Sequence, residues 1–446
     1  MLSKNKIIRL ALDDVDSPNY GCTTYALSLI IKKLMEEQVK FLDYPHLIRL
    51  NPNIPWKTRG NGAVALVLEH EDLEYIFSIV KKIVYLNYVR AKRKSTPAIV
   101  LSNDDVNGEL TAFSEEALYK VLSVKRAKIL LEKYHFIYQT YGGEIGLIGA
   151  LAGLSYPLVE HTYELISYRQ EQNFAKPRKV NTKSVIKMSN KTYPFTYNNY
   201  DPLTNRVIIT PHGPDPILLG IRGLAPRKLI EAFNMLKIEE KVSHYVIFKT
   251  NQGTNSHFKV FFKIKDIKPY YSVKTCGTVK TMPSIEKGGH VFFVLEDDNS
   301  LVTCAAYEPT KTFRAYTLKL RPGDQIEVGG GVRAPNKKND MTLNLEYMKV
   351  LALAEDCIYE NPLCPNCSKH MKSLGKNKGF ECDKCELKLT KAIKVKKVIP
   401  RNIKPGLYIP PPSAHRHLTK PLQYYRANLK INEPFLQKTF FKVFKG

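Results

Sequence analysis

A chain of 446 residues with 43% apolar side chains is too long for a single hydrophobic core and too apolar to stay unfolded, so three or four domains are expected. Its 68 Lys and Arg against 42 Asp and Glu give a formal charge of +26, which attracts a polyanion and makes nucleic acid the default partner. The longest apolar run, near Gly146 to Leu154, is Gly-rich and stops at Ser155-Tyr156-Pro157, and the N-terminus lacks a signal-peptide pattern, so no membrane partner is expected.

Ile7, Ile8, Leu10 and Leu12 predict a buried strand that runs into Asp13, Asp14 and Asp16. Pro18, Asn19 and Gly21 break the chain, and a helix is expected from Tyr25, with Leu27, Ile30, Ile31 and Leu34 on one face and Thr23 or Thr24 as the cap. Carboxylates at a strand end, facing a helix N-terminus, suit a nucleotide. Asp13, Asp14 and Asp16 could hold Mg²⁺ through oxygen ligands, with phosphate oxygens on the first helical amides beside Thr23. A solvated turn whose Asp and Ser side chains bond their own backbone fits the local pattern equally well.

A strand at 47–50 leads to the loop Pro55-Trp56-Lys57-Thr58-Arg59-Gly60-Asn61-Gly62, followed by a strand at 63–68. Lys57 and Arg59 could close over phosphates, or the loop could be a connection with solvated cations. Helices are expected over 72–90 and 114–134, separated by a polar surface insertion at 91–108. In a helix, Gly142, Gly146, Gly149 and Gly153 would leave one face bare, for packing onto a sheet or for the approach of a nucleotide. A strand follows at 161–168.

From Arg178 a small α+β domain is expected, with strands at 180–188, 193–200, 207–210 and 245–250 and a helix at 226–236. Prolines on both sides of Asp215 would hold that carboxylate rigidly, as a cation ligand or an ordinary turn residue. Short strands with glycine turns over 271–354 predict an OB-type β-barrel. Phe292, Tyr307, Phe313 and Tyr316, beside Arg314, could stack and neutralise RNA, although half of these aromatics belong to the core; alternation sends one of Phe292 and Phe293 inward and the other outward.

Of eight cysteines, four are scattered, which argues against a disulfide framework and for a reducing, cytoplasmic setting. The other four form Cys364-Pro365-Asn366-Cys367 and, 14 residues on, Cys382-Asp383-Lys384-Cys385. Two CxxC knuckles at that separation supply four thiolates for one structural Zn²⁺. Residues 391–446 hold thirteen Lys or Arg and the single acid Glu433, which predicts a basic C-terminal tail near nucleic acid, with Tyr408, Tyr424, Tyr425 and Phe435 arguing against full disorder.

Seven motifs in order resemble the archaeal tRNA(Ile) agmatidine synthase family, TiaS, over nearly the whole chain. They are Asp13-Asp14-Val15-Asp16-Ser17 with Cys22-Thr23-Thr24-Tyr25, Trp56 to Gly62, Gly146 to Ala152, His161-Thr162-Tyr163-Glu164-Leu165, Gly213-Pro214-Asp215-Pro216 with Gly220-Ile221-Arg222-Gly223, Thr250-Asn251-Gln252-Gly253-Thr254, and the OB and zinc-ribbon segments. The resemblance implies a multi-domain α+β enzyme. Its parts would be a kinase-like ATP-binding domain (1–168), a ferredoxin-like domain (169–268), an OB fold (269–354), a zinc ribbon (355–398) and the tail (399–446). It implies that ATP activates the 2-oxo group of the first anticodon cytidine of an isoleucine tRNA with a CAU anticodon. Agmatine then displaces the phosphorylated oxygen, and the product base pairs with adenine. It implies catalytic roles for Asp13, Asp14, Asp16 and Thr23, with Thr23 itself becoming phosphorylated, and ATP contacts at Cys22, Thr24, Lys57, Arg59, Gly146 and Gly149. Agmatine carries a guanidinium that needs a carboxylate, and Asp215 is the candidate. No obligate protein partner is expected.

Three places depart from the family pattern, one of them Tyr20-Gly21, which stands where Gly-Met usually precedes the cysteine. Val15 replaces a threonine between the aspartates, so a hydroxyl there is dispensable, and Ile145 stands where an arginine often precedes the glycine motif. Two other readings remain open on sequence: a non-enzymatic RNA-binding protein, and a Mg²⁺-dependent nuclease or phosphotransferase.

Overall fold

The computed structural model describes residues 6–17, 21–337, 340–426 and 433–444; Pro18, Asn19 and Tyr20 lie outside it. Strand β1 (Lys6–Asp13) leads to helix α1 (Thr23–Glu36), then β2 (Lys40–Phe41), β3 (His46–Arg49), β4 (Gly62–His70), α2 (Leu73–Arg90) and β5 (Ala98–Ser102). Next come α3 (Gly108–Glu116), α4 (Val124–Lys133), β6 (Ile137–Thr140), α5 (Gly146–Ser155) and β7 (Thr162–Arg169). After α6 (Thr182–Thr192) there are three two-residue strands, β8 (Thr196–Tyr197), β9 (Tyr200–Asp201) and β10 (Arg206–Val207), and then β11 (Ile217–Gly223), α7 (Pro226–Asn234) and β12 (Val242–Thr250).

These strands form one sheet in the order β6-β5-β1-β4-β3-β12-β7-β11-β8, with β9 and β10 paired apart. β1 alternates: Ile8, Leu10 and Leu12 face a core with α1 and α2, and Ala11 faces a second core under α3, α4 and α5. The second face is lined by small residues, Ala11, Ala63, Ala65 and Ala98, and α5 meets it with glycines. A Cβ on Gly153 would lie 2.8 Å from the Ala63 methyl, and one on Gly146 would lie 2.5 Å from the Thr96 carbonyl oxygen. Small against small brings this helix onto the sheet and its N-terminal end to the β1 terminus. The junction with the second half is the parallel pair β3–β12, Lys249 opposite His46 and Thr250 opposite Leu47. The boundary expected at 168 falls near the end of β7, inside this continuous sheet.

Several expectations need correction. The stretch 91–108 is no mere insertion: it contains β5, five buried residues paired with β1. The helix at 114–134 is two helices, broken over 117–123, the second capped by Ser123, whose hydroxyl accepts from Arg126 N. Most of residues 180–188 belong to helix α6 in place of a strand; the Asn181 side chain caps Ser184 N at 3.0 Å, worth about 1 kcal/mol, and Ser184, Val185, Met188 and Thr192 form its buried face. Regions 193–200 and 207–210 supply only the two-residue strands, whereas β11, with glycines at 220 and 223, lies outside every expected strand.

β13 (Ser272–Val279), β14 (Ser284–Glu286), β15 (His290–Asp297), β16 (Ser300–Ala306), helix α8 (Thr312–Thr317), β17 (Gln325–Arg333) and β18 (Thr342–Ala352) follow. The path β13-β17-β18-β16-β15 is closed by a β13–β15 pairing, the expected OB barrel. Phe293 is buried and Phe292 half-buried, in line with the alternation. Phe313, expected to meet RNA, is fully buried: it is the apolar face of α8. Arg314 is likewise engaged, donating to the Gly289 carbonyl. Tyr307 lies against Phe292 (6.4 Å between centroids), and the exposed Tyr316 against Tyr408 (4.6 Å).

The hairpin of β19 (Cys357–Glu360) and β23 (Val395–Val398) carries the ribbon strands β20 (Lys372–Ser373), β21 (Phe380–Glu381) and β22 (Lys388–Leu389). The four cysteine sulfurs lie within 4.8 Å of one another, close to the roughly 3.8 Å that a tetrahedron with 2.3 Å Zn–S bonds requires. About one zinc per chain is expected by elemental analysis. Cys364→Ser with Cys382→Ser should lose both the metal and the ribbon's protection from proteolysis; a metal-free ribbon of equal stability would count against the site.

The expected tail does not stand apart. β24 (Gly406–Tyr408) joins OB strand β18, helix α9 (Leu422–Arg426) follows, and β25 (Phe441–Val443) pairs with β12. Phe440 is fully buried against Phe41, and Phe435 packs on Tyr44. These aromatics, rather than the charge excess, decide where the segment lies. Among the described residues no helix is long and apolar enough to cross a membrane.

Candidate active site

β1 delivers Asp13 to the sheet edge, where Asp14 takes a left-handed conformation, φ +55°, and turns the chain out of the strand. Asp13 Oδ1 accepts from the Asp14 amide at 2.7 Å. Asp14 Oδ2 accepts from the Thr96 amide (3.0 Å) and from the Thr96 hydroxyl. Among the described residues, Asp13 Oδ2 and Asp14 Oδ1 accept no hydrogen bond. Asp16 differs: Oδ1 accepts from both the amide (2.5 Å) and the hydroxyl (2.7 Å) of Thr23, and Oδ2 from Arg59 Nε (3.1 Å).

Helix α1 therefore starts at Thr23 and not at Tyr25. Its N-cap residue, Cys22, provides no side-chain bond, and Asp16 caps the first turn across the loop. Thr23 and Thr24, the expected caps, are inside the helix. An amide expected to receive phosphate thus already holds a carboxylate.

Arg59 is fixed on three sides, with Nη2 on the Gly21 carbonyl at 2.6 Å and Nη1 on Asp215 Oδ2 at 3.3 Å, besides Asp16. Asp215 Oδ1 in turn accepts from Arg178 Nη2 at 3.0 Å. The carboxylate expected to meet agmatine is thus already matched by two guanidiniums. Burial works against the Arg59 charge, but Asp16, the Cys22 sulfur and Asp215 hold its pKa above the usual value.

Burial, then the charges of Asp14 and Asp16, push the Asp13 carboxyl well above the usual range. Burial also raises Asp14, against the Thr96 donors. A site that crowds carboxylates and strands two oxygens is short of positive charge. The three aspartates do not converge as one set; among the described residues only the four cysteines do. Two free carboxylate oxygens suit Mg²⁺, which commonly takes one or two carboxylates and completes its shell with phosphates and water.

A cavity of about 110 Å³ lies over these groups and opens to solvent. Asp13, Asp14, Asp16 and Thr23 line one side; Trp56, Lys57 and Arg59 line another; Ile145, Gly146 and Gly149 form a third. A Cβ on Gly149 would overlap the Asp13 carboxylate. Cys22 and Thr24, expected phosphate contacts, are buried and bonded to each other (3.1 Å), and neither lines the cavity. Burial pushes the Cys22 thiol up to about 11.

Beyond Lys57 and Arg59 a second cavity opens between β7, β11 and the segment 413–418. There buried Glu164 accepts from Arg222 Nε (3.0 Å) and Gln252 Nε2 (2.5 Å), with Arg49 at 3.8 Å. Sequence reasoning does not reach these residues, or Thr96, as parts of a site. Their chain separation hides them, although Glu164, Arg222 and Gln252 sit in motifs already noted.

Family models match residues 9–85 (TiaS TCKD domain), 144–257 (TiaS FLD domain), 273–351 (OB-fold nucleic acid binding domain) and 361–403 (TiaS C-terminal zinc ribbon domain). The TiaS of Thermococcus sibiricus, a 2-agmatinylcytidine synthetase acting on an isoleucine tRNA, is 40% identical over 426 residues, covering 95% of this chain and 97% of that one. The chain belongs to the TiaS family.

The crystal structure of a TiaS complex with isoleucine tRNA and ATP matches with a TM-score of 0.85 at 35% identity, covering 96% of this chain and 100% of that one. A TiaS complex with isoleucine tRNA, AMPCPP and agmatine matches with a TM-score of 0.82 at 33% identity, with 96% and 100% covered. Val15, which departs from the TiaS pattern, is fully buried in the α1/α2 core, so no hydroxyl is needed there. Ile145 is exposed at the cavity rim and brings no charge to the phosphates.

Proposed function

We infer that this chain is an ATP-dependent tRNA(Ile) agmatidine synthase, acting in the cytoplasm on the first anticodon cytidine. The observation that carries the reading is the cavity in which Asp13, Asp14, Asp16, Thr23, Lys57 and Arg59 meet, set in a chain that matches a TiaS structure over 96% of its length. A pyrimidine carbonyl oxygen is a poor leaving group, and phosphorylation makes it a good one. Phosphoryl transfer asks a protein mainly for positioning and positive charge.

In this reading the aspartates divide the work. Asp13 and Asp14, each with an oxygen uncommitted, would hold Mg²⁺, which neutralises triphosphate charge when bound. Asp16 holds the Thr23 hydroxyl and can take its proton when Thr23 receives phosphate, and the same carboxylate aims Arg59 at the cavity. Lys57, with its pKa lowered by burial and by Arg416, donates to phosphate oxygens. Gly146 and Gly149 let α5 close onto Thr96 and Asp13, which sets the N-terminal end of the helix at the nucleotide cavity. Asp215 keeps Arg59 in place. The base 2-oxygen takes a phosphoryl group from ATP, whose P–O bond to the rest of the nucleotide breaks; the agmatine amine, after losing a proton, attacks C2, and the C2–O bond breaks with phosphate leaving. Phe292, Tyr307 and Tyr316 on the OB barrel offer stacking faces to the RNA.

The test incubates the protein with tRNA(Ile) CAU transcript, ATP, Mg²⁺ and agmatine and measures nucleoside masses. Agmatidine should appear only with all components present. An unchanged cytidine from folded protein would overturn the reading.

A further inference from the structure

The segment after the ribbon meets the catalytic loop from below. It leaves the OB barrel at Tyr408, opposite Met348 of β18, and reaches Arg416 and His417. Arg416 Nε lies 3.1 Å from Glu346 Oε1, also on β18, while its Nη1 donates to the Pro52 carbonyl at 3.1 Å. The other Glu346 oxygen, Oε2, is 3.1 Å from Nε2 of fully buried His257, which follows β12. One arginine thus joins the OB barrel, the large sheet and the start of the loop that carries Lys57 and Arg59.

His417 holds the far end of that loop. Its Nδ1 is 3.0 Å from Gln252 Oε1 and 3.1 Å from Arg222 Nη2, and its carbonyl accepts from the Gly253 amide at 3.0 Å. Gly60 rests on the ring: a Cβ there would lie 3.0 Å from His417 Nε2 and closer still to Arg49. An arginine serving RNA would keep its guanidinium open to phosphate. Arg416 instead sets its guanidinium in an ion pair with the buried Glu346 carboxylate and donates a hydrogen bond to a main-chain carbonyl, both of which fix geometry.

We propose that Arg416 and His417 are positioning residues for phosphoryl transfer, acting through the loop from Pro52 to Gly60, so that the C-terminal segment belongs to the catalytic machinery. The proposal rests on the synthase reading above. It makes the placement of Lys57 and Arg59 depend on how the OB barrel is seated, because Glu346 moves with the barrel.

Full-length Arg416→Ala and Arg416→Lys are compared with wild type at saturating tRNA transcript, ATP, Mg²⁺ and agmatine, and tRNA affinity is measured across a salt series. Lysine keeps the charge but cannot reach Glu346 and Pro52 together. Both variants should lose about 10- to 100-fold in kcat, with tRNA Kd within about threefold of wild type and an unchanged salt slope. Wild-type kcat in Arg416→Lys would overturn the proposal. So would a weaker Kd in Arg416→Ala with a salt slope smaller by about one and unchanged kcat at saturation, the signature of a phosphate contact. If the alanine variant does not fold, Arg416→Lys carries the decision. A wild-type protein that leaves the cytidine unmodified would overturn the synthase reading instead, so the two failures are distinguishable.

Discussion

Asp13→Asn is expected to abolish agmatidine formation, with kcat/KM falling by about 10³-fold or more, while tRNA binding changes by less than about threefold. Asparagine keeps the shape of the side chain and the bond from the Asp14 amide, but removes the negative charge of a carboxylate that lines the cavity. A loss of 10³ corresponds to about 4 kcal/mol of transition-state stabilisation, the scale of removing one well-placed electrostatic group. Asp14→Asn should behave in the same way. Asp16→Asn should differ, because it loosens Arg59 and the first turn of α1 and so should also lower the melting temperature. Nucleoside mass measurement gives the rates, and filter binding gives the affinities. Equal collapse of tRNA binding and catalysis in Asp13→Asn would make the acidic turn structural.

Gly149→Ala should cost nearly as much, although it deletes nothing. On an exposed helix the change would add stability by its higher helix propensity. Here the new methyl falls on the Asp13 carboxylate, so either α5 shifts or Asp13 leaves its position. Overpacking of this kind costs about 1–3 kcal/mol in stability, and displacement of the carboxylate should remove most of the activity. Both changes act on one group, so Gly149→Ala combined with Asp13→Asn should be far less than additive. Additive losses, or wild-type turnover in Gly149→Ala, would show that Gly149 does not govern Asp13.

What the sequence shows well is what repeats at short range. The alternation of Ile8, Leu10 and Leu12, the helical spacing of Leu27 to Leu34, the alternation of the OB strands and the CxxC pairs each fix a local pattern, and all four stand in the structure. Residues 180–188 mislead because Val180, Thr182, Val185 and Ile186 favour strands, while the capping side chain of Asn181 and a buried face decide for a helix. β5 is hidden because four apolar residues and a serine sit inside a polar stretch. The bonds that shape the site are out of reach for a different reason: Thr96 meets Asp14 across 82 residues, and Arg416 meets Pro52 across 364. The cation count does not say where the C-terminal segment packs; Phe435, already noted in the sequence, and Phe440 and Phe441 do. The prolines around Asp215 do mark a held acid, but its partners are the protein's own arginines.

The parallel pairing of β3 with β12 sets how this enzyme can flex. Opening the kinase-like half against the ferredoxin-like half would tear main-chain hydrogen bonds from the middle of an eleven-stranded sheet and expose two raw strand edges. No hinge exists at that junction. Because the pairing runs through the sheet interior, the two halves move as one body, and the Arg49–Glu164 contact that spans them is carried along with it.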